Sequence, residues 1–267
     1  MRFFSDFDDS EIEKFFYKKP VEFNKYSDRE VLSYGLGATL YMPATKPGIG
    51  KDIIGRKYAS LTSLVICLED AIGDNEVEKA ERLFIEHISA IHEALRKEIV
   101  SYDDLPLIFV RIRNFAQFKK IVSSLGEKLA VAAGVVIPKF SREIGEPILK
   151  LVQRIHNEKF PFYAMPIFET KQIIYKETRM AELLDIKTLL DEYKEIVLNI
   201  RIGATDFSGL FGIRRNSYTP VYEISIIRDC IADILNVFLR LDEPYVISGP
   251  VWEYFSARER LLKPQIR

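Results

Sequence analysis

From about residue 36 onward, short apolar runs alternate with longer stretches whose apolar positions recur every three or four residues. The short runs fall at 36–42, 63–68, 107–112, 134–138, 162–168, 196–202 and 245–247. Several are continuously apolar and β-branched, such as Leu64-Val65-Ile66-Cys67-Leu68 and Gly134-Val135-Val136-Ile137-Pro138, as expected of parallel strands covered on both faces. Between them, Val77, Ala80, Phe84, Ile88, Ile91 and Leu95 trace one face of a helix, and Asn75 with Glu78 has the spacing of a capping box at its start. Ile148, Leu151, Val152 and Ile155 repeat the period, as do Ile224, Ile227, Ile231, Ile234 and Phe238. This rhythm predicts an α/β fold with a parallel sheet.

Polar residues mark the strand exits. Lys46 follows the first run, Glu69 and Asp70 the second, Arg111 and Arg113 the third and Lys139 the fourth; Glu169, Asp206 and Trp252-Glu253 follow the last three. The dinucleotide fingerprint is absent, since Gly35-Leu36-Gly37 precedes the first strand and lacks a third glycine. A TIM (β/α)8-type barrel gathers every strand exit around one axis, whereas an open sheet scatters them along its edge. The barrel is the better reading, with 35–267 as the catalytic domain. Residues 1–34 are rich in Phe and Tyr and are expected to pack on it as an N-terminal extension.

Only seven strand signals are present, and 256–267 offers no β-branched run. The expectation is a barrel with seven strands and the eighth missing by truncation. The alternatives are that residues 1–34 or another chain cover the gap. An unpaired edge favours association, so a homo-oligomer is expected.

Composition narrows the function. Lys and Arg number 38 against 39 Asp and Glu, giving a formal net charge of −1, which predicts no nucleic-acid or membrane partner. No apolar run reaches membrane-spanning length. The two cysteines, Cys67 and Cys230, lie in apolar runs and read as buried thiols of a cytoplasmic protein. His87, His92 and His156 fall inside predicted helices, away from the strand exits, which disfavours zinc or a histidine base.

Glu169 and Asp206 end adjacent parallel strands, ~4.8 Å apart in such sheets, and could share one cation. Oxygen donors without His or Cys suit Mg²⁺, with Mn²⁺ as the alternative. The competing reading makes them solvated loop acids or helix caps. Glu69 and Asp70 are more acid than one cap requires, and could hold water or take a proton. Arg111 and Arg113 could present a planar fork to a carboxylate or enolate, or pair with those acids. The loop from Pro43 to Lys51 is basic and contains glycines but does not match the P-loop.

These exits carry a resemblance. Leu-Tyr-Met-Pro-Ala-Thr-Lys-Pro (40–47), Cys-Leu-Glu-Asp-Ala (67–71), Val-Arg-Ile (110–112), Gly-Val-Val-Ile-Pro-Lys (134–139), Ile-Phe-Glu-Thr (167–170), Ile-Gly-Ala-Thr-Asp-Phe (202–207) and Ser-Gly-Pro-Val-Trp-Glu-Tyr-Phe (248–255) stand in one order. That order resembles the citrate lyase β-subunit-like family of the HpcH/HpaI aldolase superfamily. It looks closest to the C–C bond lyases encoded in bacterial stress and tellurium-resistance gene clusters.

The resemblance implies a Mg²⁺-dependent carbon–carbon lyase acting on a small 2-oxo or 3-hydroxy acid or its coenzyme A thioester. By motif, Glu169 and Asp206 match the metal ligands, Arg111 the substrate-binding arginine, and Glu69 and Asp70 the acidic pair beside the metal. Arg113 and Lys139 join Lys46 as candidate substrate contacts. Lys46 replaces an arginine that many members place near the coenzyme phosphates. Two rivals remain: a barrel that has lost catalysis and serves as a binding or assembly subunit, and a metal-dependent transferase of the phosphoenolpyruvate type. The latter needs a phosphate-accepting His or a nucleotide loop, and neither is found.

Overall fold

The computed structural model describes residues 1–58, 60–216, 218–242 and 244–253. Its strands are β1 (Leu40–Pro43), β2 (Ser63–Cys67), β3 (Leu107–Arg111), β4 (Gly134–Ile137), β5 (Tyr163–Phe168), β6 (Ile200–Ile202) and β7 (Ile247–Ser248). All pair in parallel and in chain order. Helices α1 (Asp9–Phe15) and α2 (Arg29–Gly35) precede the sheet; α3 (Ile49–Ile54) follows β1, α4 (Val77–Arg96) follows β2, and α5 (Phe115–Leu125) follows β3. α6 (Arg142–Glu158) connects β4 to β5, α7 (Lys171–Ile174) and α8 (Lys176–Glu192) connect β5 to β6, and α9 (Ala204–Leu210) and α10 (Ser225–Phe238) lead to β7. This is the α/β TIM-type architecture that the alternation predicts.

Strand alternation sorts the core into two layers. Outward residues such as Leu64, Ile66, Ile108, Val110, Val135, Ile137, Ile200 and Ile202 pack against the helices. Inward residues Val65, Leu107, Phe109, Val136, Tyr163, Met165 and Ile167 fill the barrel. Phe23, Leu32 and Leu36 join that interior cluster near the strand starts. The aromatics of 1–34 divide between the two environments: Phe23 is 4% exposed, whereas Phe15 and Tyr34 are 61% and 68% exposed.

Three local departures have physical causes. The first strand begins at Leu40 rather than residue 36, because α2 runs to Gly35 and Gly37 turns the chain at φ 59°. The sixth is shortened because Lys194–Ile196 forms a 3-10 turn, leaving Val197 only an isolated bridge to Ala164. At the start of α4, a 3-10 turn over Asp74–Glu76 replaces the Asn75/Glu78 capping box; Glu76 N–H donates to Gly73 O (2.9 Å) and no side chain caps the helix.

Among the described residues β1 and β7 each have one strand neighbour, and residues 1–34 contribute helices but no strand. The C-terminal run on which the missing-strand expectation also turns, 256–267, lies outside the described residues. No described helix is long and apolar enough to cross a membrane.

Candidate active site

The exits of β2 to β6 converge on one cluster of charges. Arg111, at the last position of β3, is inward because its neighbours Val110 and Ile112 face the helices. Its Nη2 lies 2.7 Å from Glu69 Oε2, 2.7 Å from Asp70 Oδ2 and 3.5 Å from Glu169 Oε1. Lys139 adds a second cation, with Nζ 2.5 Å from Glu69 Oε1 and 3.4 Å from Asp70 Oδ1. Arg111 thus pairs with Glu69 and Asp70, the alternative that the sequence left open, whereas Arg113 pairs with Asp74 instead.

Glu169 is 5% exposed and caps no helix: α7 begins after Thr170, and the Glu169 Oε1 instead accepts from Lys139 N–H at 2.8 Å. That bond depends on Lys139 adopting φ 48°, a left-handed conformation disfavoured for a side-chain-bearing residue. Asp206 stands in the first turn of α9, whose N-cap is Gly203 with no side-chain cap bond. Neither acid therefore serves as a cap, and Glu169 is not a solvated loop acid. Gly203 brings the two together. A Cβ there would lie 2.5 Å from Glu169 Oε2 and 3.3 Å from Asp206 Oδ2, so both carboxylates occupy the space a side chain would fill.

The electrostatics follow from this crowding. Burial pushes the Glu169 carboxyl up to about 7; Arg111 pulls it back, and the adjacent Asp206 carboxylate pushes it further up. For Asp70 burial also acts upward, but its hydrogen bond to Glu69 and the charges of Arg111 and Lys139 outweigh it and hold the group below the ordinary carboxylate range.

Glu169 and Asp206 are the residues that could hold a divalent cation. Two hard carboxylates in a cradle kept open by glycine suit Mg²⁺, which retains waters and takes substrate oxygens in its remaining positions. Among the described residues no group of three or more His, Cys, Asp or Glu forms a cation site, so these two would bind it without a further side chain of that kind.

Other predicted residues stand apart. Arg113 ties down the β2 exit loop, donating to Leu68 O (3.0 Å) and Ile72 O and pairing with the exposed Asp74 (2.8 Å). Lys46 Nζ bonds Tyr58 Oη (3.1 Å) rather than joining the acid cluster. Glu253 accepts from Val221 N–H (2.7 Å) and pairs with Arg215. All three histidines do lie in helices: His87 and His92 in α4 and His156 in α6; His87 Nε2 also contacts Lys46 O (3.2 Å).

The sequence shows Gly203 and Ala204 as small residues that keep the β6 exit loop close, but not that both carboxylates fill the space of a side chain at Gly203, and it does not single out Arg201 at all. The signal for Arg201 is a charge between two strand residues, Ile200 and Ile202, that both belong to the outer core.

The family model for C-C bond lyases of the TIM-barrel fold matches residues 30–267. The chain belongs to that family. Among solved structures this C-C bond lyase family member resembles the citrate lyase beta subunit of M. tuberculosis complexed with oxaloacetate and magnesium, at 13% identity and TM-score 0.50, covering 83% of this chain and 81% of that one. It also resembles malate synthase of Haloferax volcanii, at 12% identity and TM-score 0.56, covering 79% of this chain and 61% of that one. RipC from Yersinia pestis aligns at 12% identity and TM-score 0.49, over 88% of this chain and 100% of that one. At such identities the likeness to the citrate lyase beta subunit and to malate synthase is one of fold. No curated protein matches the sequence.

Proposed function

We propose that the protein is a Mg²⁺-dependent lyase or aldolase that breaks or forms a carbon–carbon bond of a small 2-oxo or 3-hydroxy acid, or of its coenzyme A thioester. The observation that carries this reading is the approach of Glu169 and Asp206 over Gly203, beside Arg111. Cleaving the bond next to a carbonyl leaves charge on an enolate oxygen, which needs fixed positive charge in a site sheltered from water. Glu169 and Asp206 would hold Mg²⁺, or Mn²⁺ in its place, which would supply Lewis-acid stabilisation of that charge.

The chain's own residues do the rest. Glu169 is oriented by the Lys139 amide and Asp206 by the first turn of α9. Arg111 is engaged by three carboxylates, and a substrate oxygen would displace the most exposed of them, Asp70, whose side chain is 48% exposed. Asp70 is then free to hold or carry a proton, while Lys139 keeps Glu69 in place.

The finer placement beside lyases of stress and tellurium-resistance gene clusters rests on the order of strand-exit motifs. A cytoplasmic, homo-oligomeric protein is part of the same proposal. Thioester binding draws no support from Lys46, whose amine is turned to Tyr58.

Calorimetric titration with Mg²⁺ tests the central claim. Wild type should bind one ion, and Glu169→Gln and Asp206→Asn should lose that binding while remaining folded. Unchanged affinity in both variants would end the metal assignment.

A further inference from the structure

Among the described residues Arg201 is a cation without a counter-charge. It sits at the centre of β6, in register with Ile167 of β5 and Ser248 of β7, and alternation turns it into the barrel. Its Nη2 donates to Thr39 Oγ1 at 2.7 Å, and its guanidinium lies 5.5 Å from the centre of the Tyr41 ring on β1. It therefore reaches from β6 to the start of β1. Arg111 and Arg179, by contrast, are neutralised: Arg111 contacts three carboxylates, and Arg179 in α8 contacts Asp229 and Asp233, each at 2.7 Å. Among the described residues no carboxylate pairs with Arg201, and its Nε, like that of Arg111, is buried with no hydrogen-bond partner.

A half-buried guanidinium that meets one hydroxyl and one ring face, with its Nε buried and unpartnered, has neither its charge nor all its hydrogen bonds matched by the protein. Bracing β6 against β1 does not call for a charge; a neutral side chain could do so. Tyr41 supplies the second observation. Burial pushes its phenol up, Arg201 and Arg111 pull it back, and the Glu169 carboxylate pushes it up again. Its hydroxyl thus stays protonated, a donor within the field of both arginines and of the proposed metal ligand. Tyr41 as a whole residue keeps 36% of its surface exposed.

We propose that Arg201, with the Tyr41 hydroxyl beside it, forms a carboxylate-binding subsite next to the Glu169–Asp206 centre, so that the substrate carries a second carboxylate at its far end. This rests on the function proposed above and narrows it to dicarboxylic acids. Arg presents the planar fork that a carboxylate matches, and an anion there removes the charge imbalance.

The test compares pairs of 2-oxo acids of four, five and six carbons, each pair differing only in a terminal carboxylate, titrated into the full chain with Mg²⁺. At one chain length the diacid should bind about tenfold tighter or more. Arg201→Met should bring that ratio to about one with the monoacid affinity kept, and Tyr41→Phe should reduce it while leaving the ring in place. A ratio near one at every length in wild type overturns the subsite, as does a ratio that survives in Arg201→Met. Should Arg201→Met fail to fold, the wild-type ratio and Tyr41→Phe still decide. Monoacid binding that needs Mg²⁺ but shows no diacid preference sinks this inference alone. Mg²⁺ affinity untouched by Glu169→Gln and Asp206→Asn sinks the functional reading instead.

Discussion

Gly203 and Glu169 are in contact in a way that no other residue at position 203 permits: an added Cβ would stand 2.5 Å from both Cβ and Oε2 of Glu169. The backbone at Gly203, with φ −87° and ψ 63°, does not demand glycine, so the requirement is steric. Gly203→Ala is expected to push Glu169 out of its place beside Asp206. Mg²⁺ affinity should fall at least about tenfold for a stability loss of about 1–2 kcal/mol. Titration calorimetry paired with urea unfolding checks both; wild-type affinity in the alanine variant would show that the cradle is not needed.

Arg111 holds together carboxylates that water barely reaches: the side chains of Glu69 and Glu169 are 9% and 2% exposed. Removing the cation in Arg111→Met should cost about 3 kcal/mol of stability, because buried acids are left without their partner. Arg111→Lys should recover part of that stability yet lose most turnover, since a point charge does not reproduce a planar fork. Urea unfolding of the two variants measures the first effect and steady-state kinetics the second. A methionine variant as stable as wild type would remove Arg111 from the centre of the network.

Lys25 gives a pH dependence remote from the site. It is 4% exposed, its amine donates to Ala130 O and to Ala132 O (3.0 Å), and burial drives it down to about 7. A neutral amine still offers two N–H donors for those carbonyls. Between about 7 and its ordinary value of 10.5 the unfolded chain carries the proton and the folded chain does not, so stability rises with pH across that window. The slope from this one group approaches about 1.4 kcal/mol per pH unit. Denaturation at pH 7, 8 and 9 should show wild type gaining on Lys25→Met by roughly that much per unit; parallel curves would mean that Lys25 stays charged inside.

The sequence by itself determined the architecture and most of the chemical inventory. Strands buried on both faces must be apolar throughout, and helices between them must show one apolar stripe, so the βα order is written in the residues 63–68, 77–96 and 134–138. Carboxylates and arginines at strand exits could likewise be named, because in a barrel those exits face one mouth. The tertiary structure alone decided which of them meet. Arg111 and Arg113 are two residues apart and look equivalent in sequence, yet one grips Glu69, Asp70 and Glu169 while the other ties down a loop at Leu68 and Ile72. Lys46 carries the charge of a site residue but spends it on Tyr58. Most of all, the meanings of Gly203 and Arg201 depend on neighbours 34 and 162 positions away, Glu169 and Thr39. A missing side chain matters only when something fills its place, and a lone charge is recognisable only once every potential partner has been located in space.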